Sequence, residues 1–329
     1  METTLAARNR GKALVTGASG FIGTRLVQRL ADEGAEVVAI DLLPPRRSVP
    51  GVDYRAIDVR QPIVPETARG VDIIYNLAAV HRTPGHPDQD YYDTNILGAL
   101  NVTALAEACG VDRLVFTSSI SVYGPTEDLV DERSPTAPVS AYGKSKLIAE
   151  AIHGRWQAGA AGRRLVTVRP GVVFGPGEGG NYTHLARALA GGYFVYPGRR
   201  DTIKSGGYVD DLLGAIDFAL GQADPAILLN FAYPDQSTTR DIVQAFGRVT
   251  GRTARPPVVP TGLMLTAAAL FEIANRLGFR NPVHRQRILK LVQSTRIAPG
   301  WLTQRGYHFR YDLEAALQAW RAETAGRFV

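Results

Sequence analysis

A glycine-rich turn between a strand and a helix constrains the fold of this chain more than any other feature. The apolar stretch Lys12–Thr16 predicts a strand, and helical apolar spacing follows over Phe21–Leu30. The candidate ligand-binding residues of the turn between them are Gly17, Gly20, Phe21, Ile22 and Gly23. Glycines let the backbone turn tightly and approach a pyrophosphate, while the helix N-terminus offers N–H groups to phosphate oxygens. The spacing is Gly-x-x-Gly-x-x-Gly rather than Gly-x-Gly-x-x-Gly, but in this setting it predicts dinucleotide binding.

An acidic residue at the end of the next strand indicates which dinucleotide. Asp41 ends the predicted strand Glu36–Ile40 and lies 18 residues after Gly23. A carboxylate there hydrogen-bonds a ribose 2′-hydroxyl and repels a 2′-phosphate, which favours NAD over NADP. Arg46 and Arg47 follow in a proline-rich turn and could reach a phosphate, so NADP stays the alternative.

Strands and helices alternate along most of the chain, which predicts an α/β fold built on a Rossmann-type, doubly wound parallel sheet. The predicted strands are Lys12–Thr16, Glu36–Ile40, Val52–Ile57, Val71–Leu77, Arg113–Thr117, Arg164–Arg169 and Ile227–Phe231. Ligands of such sheets bind past the carboxyl ends of the strands. The residues expected at that edge are Gly17, Asp41, Asp58, Ala79 and Ser118.

The regular alternation of strands and helices ends after Arg169, which predicts a second domain. The loop-rich stretch from Pro170 to Gly180 is followed mainly by predicted helices, Tyr182–Ala190, Tyr208–Leu220, Thr238–Thr250, Leu263–Leu277, Arg285–Gln293 and Tyr311–Thr324. We therefore expect a dinucleotide-binding domain over residues 1–170, with 208–235 returning to it. A smaller, mostly helical substrate domain is expected over 171–207 and 236–329.

A tyrosine and a lysine one helical turn apart provide the candidate chemistry. In the predicted helix Ser140–Ala158, Tyr142 and Lys146 share one face. A phenol has an unperturbed pKa of about 10, and a nearby ammonium lowers that pKa, so the phenol can act as a base. Ser119, after the strand Arg113–Thr117, could hold a substrate oxygen beside the phenol. The three residues are the candidate catalytic groups.

Composition narrows the class of protein. The single cysteine, Cys109, excludes an intramolecular disulfide and a Cys-based zinc site, which suits a cytoplasmic protein, and the spacing of histidines predicts no metal site. The net charge of +6 is spread along the chain, which argues against nucleic acid as a partner. The polar Met1–Arg10 does not resemble a signal peptide, and the apolar Gly262–Ile273 is too short to span a bilayer. His81 and His153 are expected in a loop and on a helix surface.

Together these motifs resemble the extended short-chain dehydrogenase/reductase superfamily, in its NAD-dependent nucleotide-sugar epimerase/dehydratase branch, which includes UDP-glucose 4-epimerases. The resemblance covers nearly the whole chain. It implies cofactor contacts from the glycine turn, Asp41, Asp58, Val59, Leu77, Ala78, Ala79, Asn95, Thr117, Ser118, Tyr142, Lys146, Pro170 and Val172. It also implies a homodimer formed through the helices near 90–108 and 140–158.

The resemblance implies the reaction as well. Tyr142 would take a proton from a sugar hydroxyl while hydride passes to NAD, with Lys146 lowering the pKa of the phenol. A 4-epimerase would return the hydride to the other face of a 4-keto sugar. Ile120 and Ser121 stand where 4,6-dehydratases carry an acid and a base, so elimination of water is not expected. An NDP-4-ketosugar reductase, a 3β-hydroxysteroid dehydrogenase-like enzyme and a non-enzymatic NAD-binding protein remain alternatives.

The substrate contacts are the least defined part of the sequence. Ser119, Ser121, Asn181, Lys204 and Arg296 are the candidates for a nucleotide sugar, most simply a UDP-sugar. Lys204 stands near the position where the family carries an arginine for the pyrophosphate, and it supplies a point charge rather than a bidentate fork. A solvated loop lysine and, for Asn181, a helix cap are the alternative interpretations. The apolar stretch Pro256–Leu277 resembles a segment of the steroid-acting members.

Overall fold

The computed structural model describes residues 11–81, 85–252, 255–276 and 285–329. Met1–Arg10 and Leu277, the last residue of one predicted helix, lie outside these ranges. The strands are β1 Lys12–Thr16, β2 Glu36–Asp41, β3 Asp53–Ala56, β4 Ile73–Asn76, β5 Arg113–Thr117, β6 Thr126–Val130, β7 Arg164–Pro170, β8 Val172–Phe174, β9 Tyr196–Pro197, β10 Gly206–Tyr208, β11 Ala226–Phe231, β12 Val258–Val259 and β13 Thr295–Ile297. The α-helices are α1 Phe21–Asp32, α2 Asp88–Cys109, α3 Ala141–Ala158, α4 Asn181–Ala190, α5 Val209–Leu220, α6 Thr239–Thr250, α7 Thr261–Arg276, α8 Arg285–Val292, α9 Gly300–Gln304 and α10 Leu313–Glu323.

The chain divides into two compact units. The first contains the residues up to Gly124, then Pro135–Pro170 and Leu212–Asn230. The second contains Pro125–Ser134, Gly171–Asp211 and Phe231–Val329. The sequence had assigned Pro125–Ser134 to the first domain, but β6 lies in this segment and pairs in parallel with β13. The division of roles between the two units stays a prediction.

The first unit is built on a seven-stranded sheet with the order β3-β2-β1-β4-β5-β7-β11. The central strands are parallel, with Thr16 opposite both Ile40 and Asn76 and with Thr117 opposite Val168. Each strand of this sheet coincides with a predicted strand, so the Rossmann-type fold is confirmed. The order also brings the carboxyl ends of β1, β2, β4 and β5 to one edge, where ligands of this fold bind.

The core of the first unit explains why these strands form. Leu14, Ile40, Ile74 and Leu114 are completely buried, since the sheet is covered on both faces. Helices α2 and α3 pack against each other on one face. Cys109 is partly buried against this core, as expected for a small apolar residue.

The second unit mixes helices with short strands, which the sequence did not predict. Three two-stranded pairings, β8 with β10, β9 with β12 and β6 with β13, are all parallel. Its aromatic core contains Phe174, Tyr182, Tyr208, Phe246 and Trp320. Strands of two to five residues carry too little alternation to be recognised from sequence, because their partners lie far away in the chain. None of the described helices combines the length and the hydropathy needed to cross a bilayer.

Candidate active site

The glycine turn leaves no room for side chains at two positions. Gly17 has φ of +69°, and a Cβ on it would lie 2.7 Å from the backbone nitrogen of Ala78. A Cβ on Gly23 would lie 2.1 Å from the carbonyl oxygen of Gly17. The residue preceding α1, Gly20, makes no side-chain cap hydrogen bond to the first turn of the helix. The turn thus presents backbone N–H groups at the helix N-terminus, as a pyrophosphate site requires.

The Asp41 carboxylate lies at the rim of a cavity of about 280 Å³. One of its oxygens accepts a hydrogen bond from the backbone of Ser19 at 3.0 Å, and the other accepts one from the backbone of Leu43 at 2.9 Å. These bonds fix the carboxylate in place and leave lone pairs for a ribose hydroxyl. The cavity is lined by Ser19, Ala39, Asp41, Leu42, Leu43, Pro44, Pro45, Tyr54, Arg55 and Ala56. Arg46 and Arg47 are exposed and are not among these residues.

Two more predicted cofactor residues follow β3. The Asp58 carboxylate accepts hydrogen bonds from the Arg60 guanidinium at 2.9 and 3.0 Å. Those bonds hold the pKa of Asp58 below its usual value. Val59 is buried, and a Cβ on Gly98 would come within 3.1 Å of it, so α2 runs close to this loop.

Asn95 has a structural role that its sequence position did not indicate. Its side-chain oxygen accepts a hydrogen bond from the backbone of Val80 at 3.1 Å, and its amide donates to the Ser145 hydroxyl at 2.8 Å. Asn95 thereby joins α2, α3 and the loop that continues from Leu77, Ala78 and Ala79. A hydrogen-bonded loop at this sheet edge keeps those small residues in a fixed position.

Tyr142 sits in the first turn of α3 close to Ser119. The Ser140 hydroxyl caps the helix by accepting from the backbone of Gly143 at 3.1 Å. Burial raises the pKa of the Tyr142 phenol above its usual value, a hydrogen bond with Ser119 opposes the rise, and Tyr91 adds to it. The rings of Tyr91 and Tyr142 lie 6.1 Å apart. The phenol and the serine hydroxyl are therefore together, as the sequence predicted.

Lys146 is only 2% exposed, and its ammonium points to a backbone carbonyl. Nζ donates to the carbonyl oxygen of Thr117 at 2.8 Å and lies 4.9 Å from the centre of the Phe116 ring. Burial lowers the pKa of Lys146 to about 7, although Glu150 opposes this fall. The expectation that Lys146 lowers the pKa of Tyr142 is not met, because burial raises that pKa and Lys146 is not among the groups that shift it.

A buried ion pair behind Lys146 was missed in the sequence. The Glu150 carboxylate accepts two hydrogen bonds from the Arg169 guanidinium, at 2.9 and 2.6 Å, and another from the Ser118 hydroxyl. Arg169 also donates to the Tyr123 hydroxyl at 2.8 Å. Although burial opposes its charge, the bonds with Glu150 raise the pKa of Arg169. Glu150 follows Lys146 by four residues, and that helical spacing was the available signal.

A second buried network contradicts the expectation for His153, which is completely buried rather than on the helix surface. Its Nδ1 donates to the carbonyl oxygen of Ala149 at 2.7 Å, and its Nε2 accepts from the Asn76 amide at 3.1 Å. The Asn76 oxygen accepts in turn from the Thr16 hydroxyl at 2.8 Å. The imidazole stacks on Phe116 at 4.1 Å. The neutral ring therefore connects α3 to the ends of β1 and β4. His81 is exposed.

We expect His153 to make folding sensitive to acid. Burial lowers its pKa to about 4, so the folded protein resists a proton that the unfolded chain takes up near pH 6.5. Stability is therefore complete above about pH 6.5 and falls by roughly 3 kcal/mol as the pH drops towards 4. His153→Gln should remove about one proton from the uptake on unfolding, measured as the slope of unfolding free energy against pH. Equal slopes for this variant and for His184→Gln, a change at an exposed histidine, would contradict the assignment.

The turn after β5 carries no acid–base pair. Ile120 is buried, and the Ser121 hydroxyl lies 3.2 Å from the Ser119 hydroxyl. The backbone nitrogen of Ser121 donates to Ser119 Oγ at 3.1 Å. The Thr117 hydroxyl beside them is buried without a hydrogen-bond partner. An unsatisfied buried hydroxyl at the carboxyl edge of the sheet is consistent with a ligand that completes it.

The predicted substrate residues Asn181, Lys204 and Arg296 belong to the second unit, as does Val172. Asn181 is the exposed first residue of α4 and not its cap, because Gly180 occupies the cap position. The Glu178 carboxylate accepts a hydrogen bond from the backbone of Thr183 at 3.0 Å, in place of a cap side chain. Lys204 is partly buried rather than solvated, and its Nζ donates to the carbonyl oxygen of Gln293 at 2.6 Å. Burial lowers its pKa to about 8.

Arg296 and Lys204 come from neighbouring segments of the second unit. The backbone of Lys204 pairs with Thr295, the residue before Arg296. Arg296 donates to the carbonyl oxygen of Glu127 at 3.2 Å, while its Nε is buried without a partner. Pro170 remains in the first unit, at the end of β7. Among the described residues no group of three His, Cys, Asp or Glu side chains is arranged to hold a metal ion.

The chain is similar to known proteins over nearly its whole length. A family model described as the NAD dependent epimerase/dehydratase family matches residues 13–229. The N-acetyl-alpha-D-glucosaminyl-diphospho-ditrans,octacis-undecaprenol 4-epimerase of Escherichia coli O157:H7 is 31% identical over 312 residues, which cover 92% of each chain. The UDP-glucose 4-epimerase of Azospirillum brasilense is 28% identical, over 73% of this chain and 78% of that protein. The UDP-glucuronic acid 4-epimerase of Bacillus cereus, solved with NAD, superposes with a TM-score of 0.76 at 20% identity, over 96% of this chain and 100% of that one.

Proposed function

The chain belongs to the NAD-dependent epimerase/dehydratase family, and we propose that within it the protein is a 4-epimerase of a sugar carried on a diphosphate. It is an enzyme of the extended short-chain dehydrogenase/reductase type, and the family uses NAD. The observation that carries the proposal is the grouping of Ser119, Tyr142 and Lys146 beside a turn that holds Ile120 and Ser121. These groups can move a proton and fix an oxygen, and the turn lacks the acid and base that a 4,6-elimination needs.

The first unit fits NAD at several points. The glycine turn would hold the pyrophosphate at the N-terminus of α1, and Asp41 would hold the adenosine ribose at its cavity. Lys146, Thr117 and Tyr142 would lie on the nicotinamide side, at the ends of β5 and α3. When bound, NAD supplies a reversible acceptor for the hydride of the sugar C4 carbon.

The protein's own groups then handle the proton. Tyr142 accepts the proton of the 4-hydroxyl, and Ser119 holds that oxygen through a hydrogen bond. Because burial raises the pKa of Tyr142, the phenolate needs a nearby positive charge, which the oxidised cofactor would supply when bound. Tyr142 returns the proton after the 4-keto sugar has turned over, so the reaction inverts C4 and leaves the cofactor oxidised.

The relatives differ in what carries the sugar, and the diphosphate is common to them. The Escherichia coli protein is named for a sugar on a polyprenyl diphosphate and the Azospirillum protein for UDP-glucose. In the second unit, Lys204 and the unsatisfied Nε of Arg296 are the cationic groups that we propose for the diphosphate. Asn181 stays a proposed contact for the carrier.

The direct test incubates the purified enzyme with UDP-N-acetylglucosamine and, separately, with a polyprenyl-diphosphate N-acetylglucosamine in detergent. We expect one of the two substrates to be converted to its 4-epimer, which has the same mass and is separated by chromatography. Absorbance should show no net formation of NADH. Stoichiometric consumption of added NADH with a 4-keto sugar would instead identify a ketoreductase. A product lighter by one water would identify a dehydratase.

Asp41→Asn should weaken NAD binding by roughly tenfold to a hundredfold, because hydrogen bonds to a charged group contribute about 1.5–3 kcal/mol. Loss of the carboxylate should also reduce the preference for NAD over NADP, since the repulsion of the 2′-phosphate disappears. Titration calorimetry with both cofactors measures both effects. Asp32→Asn, at an exposed acid of α1, is the matched control. An unchanged preference would contradict the ribose assignment.

A homodimer through α2 and α3 remains a prediction, as does a cytoplasmic location. Three large apolar side chains are exposed on these helices: Leu97 and Leu100 on α2 and Ile148 on α3, at 41–47%. We expect light scattering to give twice the chain mass of 35.5 kDa. Leu100→Arg should give the single-chain mass, and a mass unchanged from wild type would argue against this interface.

A further inference from the structure

The second unit exposes a surface that is both apolar and basic. We define the α7–α8 surface as Val258 of β12, Leu263 of α7, and Arg285, Leu289 and Leu291 of α8. Leu263 is 63% exposed, Leu291 50%, Leu289 42% and Val258 39%. Single exposed leucines are ordinary on a soluble protein, whereas several on adjoining elements indicate a surface that binds something.

The elements of this surface adjoin one another. Helices α7 and α8 pack together, and α8 also packs against β9, the partner of β12. A Cβ on Gly198, just after β9, would lie 2.3 Å from the hydroxyl of Thr261 and 3.3 Å from Val292. The start of α7 and the end of α8 therefore meet at the same point. The elements that carry the exposed leucines therefore adjoin one another in the second unit.

The charge of helix α8 is positive. Helix α8, with the sequence RQRILKLV, contains three cations and no acid. Arg285, at its first position, is exposed. Leucine and basic residues together on short helices are the composition of segments that lie in a membrane interface, with the apolar side among the acyl chains.

We propose that the α7–α8 surface docks the protein on a bilayer that contains anionic lipids. The leucines would enter the headgroup region, and the cations would attract the lipid phosphates, each contributing favourably near a negative surface. None of the described helices spans a bilayer, so the contact is peripheral. The purpose of this docking rests on the proposed function. A sugar on a polyprenyl diphosphate is confined to the membrane, so an enzyme that acts on it has to bind there. A protein partner would not require the excess of positive charge.

Vesicle flotation of the full chain tests the docking without any substrate. We expect the protein to float with vesicles of phosphatidylglycerol and phosphatidylcholine, but not with phosphatidylcholine alone. Raising the ionic strength to about 1 M should weaken the binding, because the Debye length falls to about 3 Å. Leu263→Asp and Leu291→Asp should each lower the partition coefficient by roughly tenfold, since each removes an inserted leucine and adds a negative charge.

Leu129→Asp is the matched control, since Leu129 is 53% exposed on β6 of the same unit, directly after the acidic residues Glu127 and Asp128. It should float like the wild type. Equal flotation of all variants, or equal binding to neutral and anionic vesicles, would overturn the proposal. Light scattering on the same proteins tests a different occupant of the surface. If Leu291→Asp dissociates an oligomer that the wild type forms, the surface binds a second copy of the chain and not a membrane. Epimerase activity in detergent, measured with whichever carrier-linked sugar the enzyme accepts, separates the two proposals. If the docking proposal is wrong, the enzyme can still epimerise its substrate, and if the proposed function is wrong, the protein can still bind vesicles.

Discussion

Tyr142→Phe is expected to lower the turnover number by about 10²–10⁴-fold, the usual contribution of a positioned acid–base group. The change removes only the phenolic oxygen, which is the proposed proton acceptor beside Ser119. The ring and its packing 6.1 Å from Tyr91 are kept, so the fold should be unaffected. NAD should bind as in the wild type, because the hydroxyl contributes little to that large contact area.

The measurement is the initial rate of C4 inversion, together with NAD affinity by calorimetry. Burial raises the pKa of Tyr142, so the wild-type rate should increase with pH as the phenolate becomes populated. This rise should be absent from the residual activity of the variant. Tyr92→Phe removes a phenol from α2 outside the site and should leave the rate unchanged. A rate for Tyr142→Phe within a few-fold of wild type would rule out Tyr142 as the base.

The first unit could be predicted from the sequence because its signals are local. The glycine turn, the acid at the end of β2 and the Tyr-x-x-x-Lys spacing are each read from a short stretch of sequence. Alternating strands and helices then leave few topologies, since crossovers between parallel strands are right-handed. The doubly wound parallel sheet therefore followed from the pattern, and with it the edge where Gly17, Asp41 and Ser119 lie.

The groups that tune the site were missed because they depend on distant contacts. Glu150 of α3 is paired with Arg169 of strand β7, and His153 is hydrogen-bonded to Asn76 of β4. The direction of the Tyr142 pKa shift likewise depends on how strongly tertiary packing excludes water. A spacing of four residues shows that two side chains share a helix face, but it does not show how deeply that face is buried.

The short strands of the second unit were missed for a related reason. Strand β6 exists because β13, more than 160 residues later, pairs with it. Asn181 was considered as a helix cap, but Glu178, a residue of the preceding loop, supplies that bond. Side chains in irregular loops are positioned by specific hydrogen bonds, and sequence patterns carry little information about those.

Gly23→Ala should reduce NAD affinity by roughly a hundredfold, although it adds only one methyl group. That methyl carbon would lie 2.1 Å from the carbonyl oxygen of Gly17 and 2.8 Å from Cα of Ala18. Both neighbours are backbone atoms, so the turn itself has to move, and the N–H groups that receive the pyrophosphate move with it. Losing one or two charge-assisted hydrogen bonds accounts for the expected change, at about 1.5–3 kcal/mol each. Overpacking should also cost about 1–3 kcal/mol of stability, visible as a lower melting temperature.

Gly154→Ala separates this steric effect from the general consequences of replacing glycine. A Cβ on Gly154 meets nothing within 4 Å, and the residue lies inside α3. Alanine should therefore raise stability by up to about 1 kcal/mol through its helix propensity, with NAD affinity unchanged. Since Gly23 is also helical, propensity alone would make its replacement stabilising as well. The change in stability is thus expected to be negative for Gly23→Ala and positive for Gly154→Ala. If Gly23→Ala binds NAD as tightly as the wild type does, the turn does not hold the cofactor.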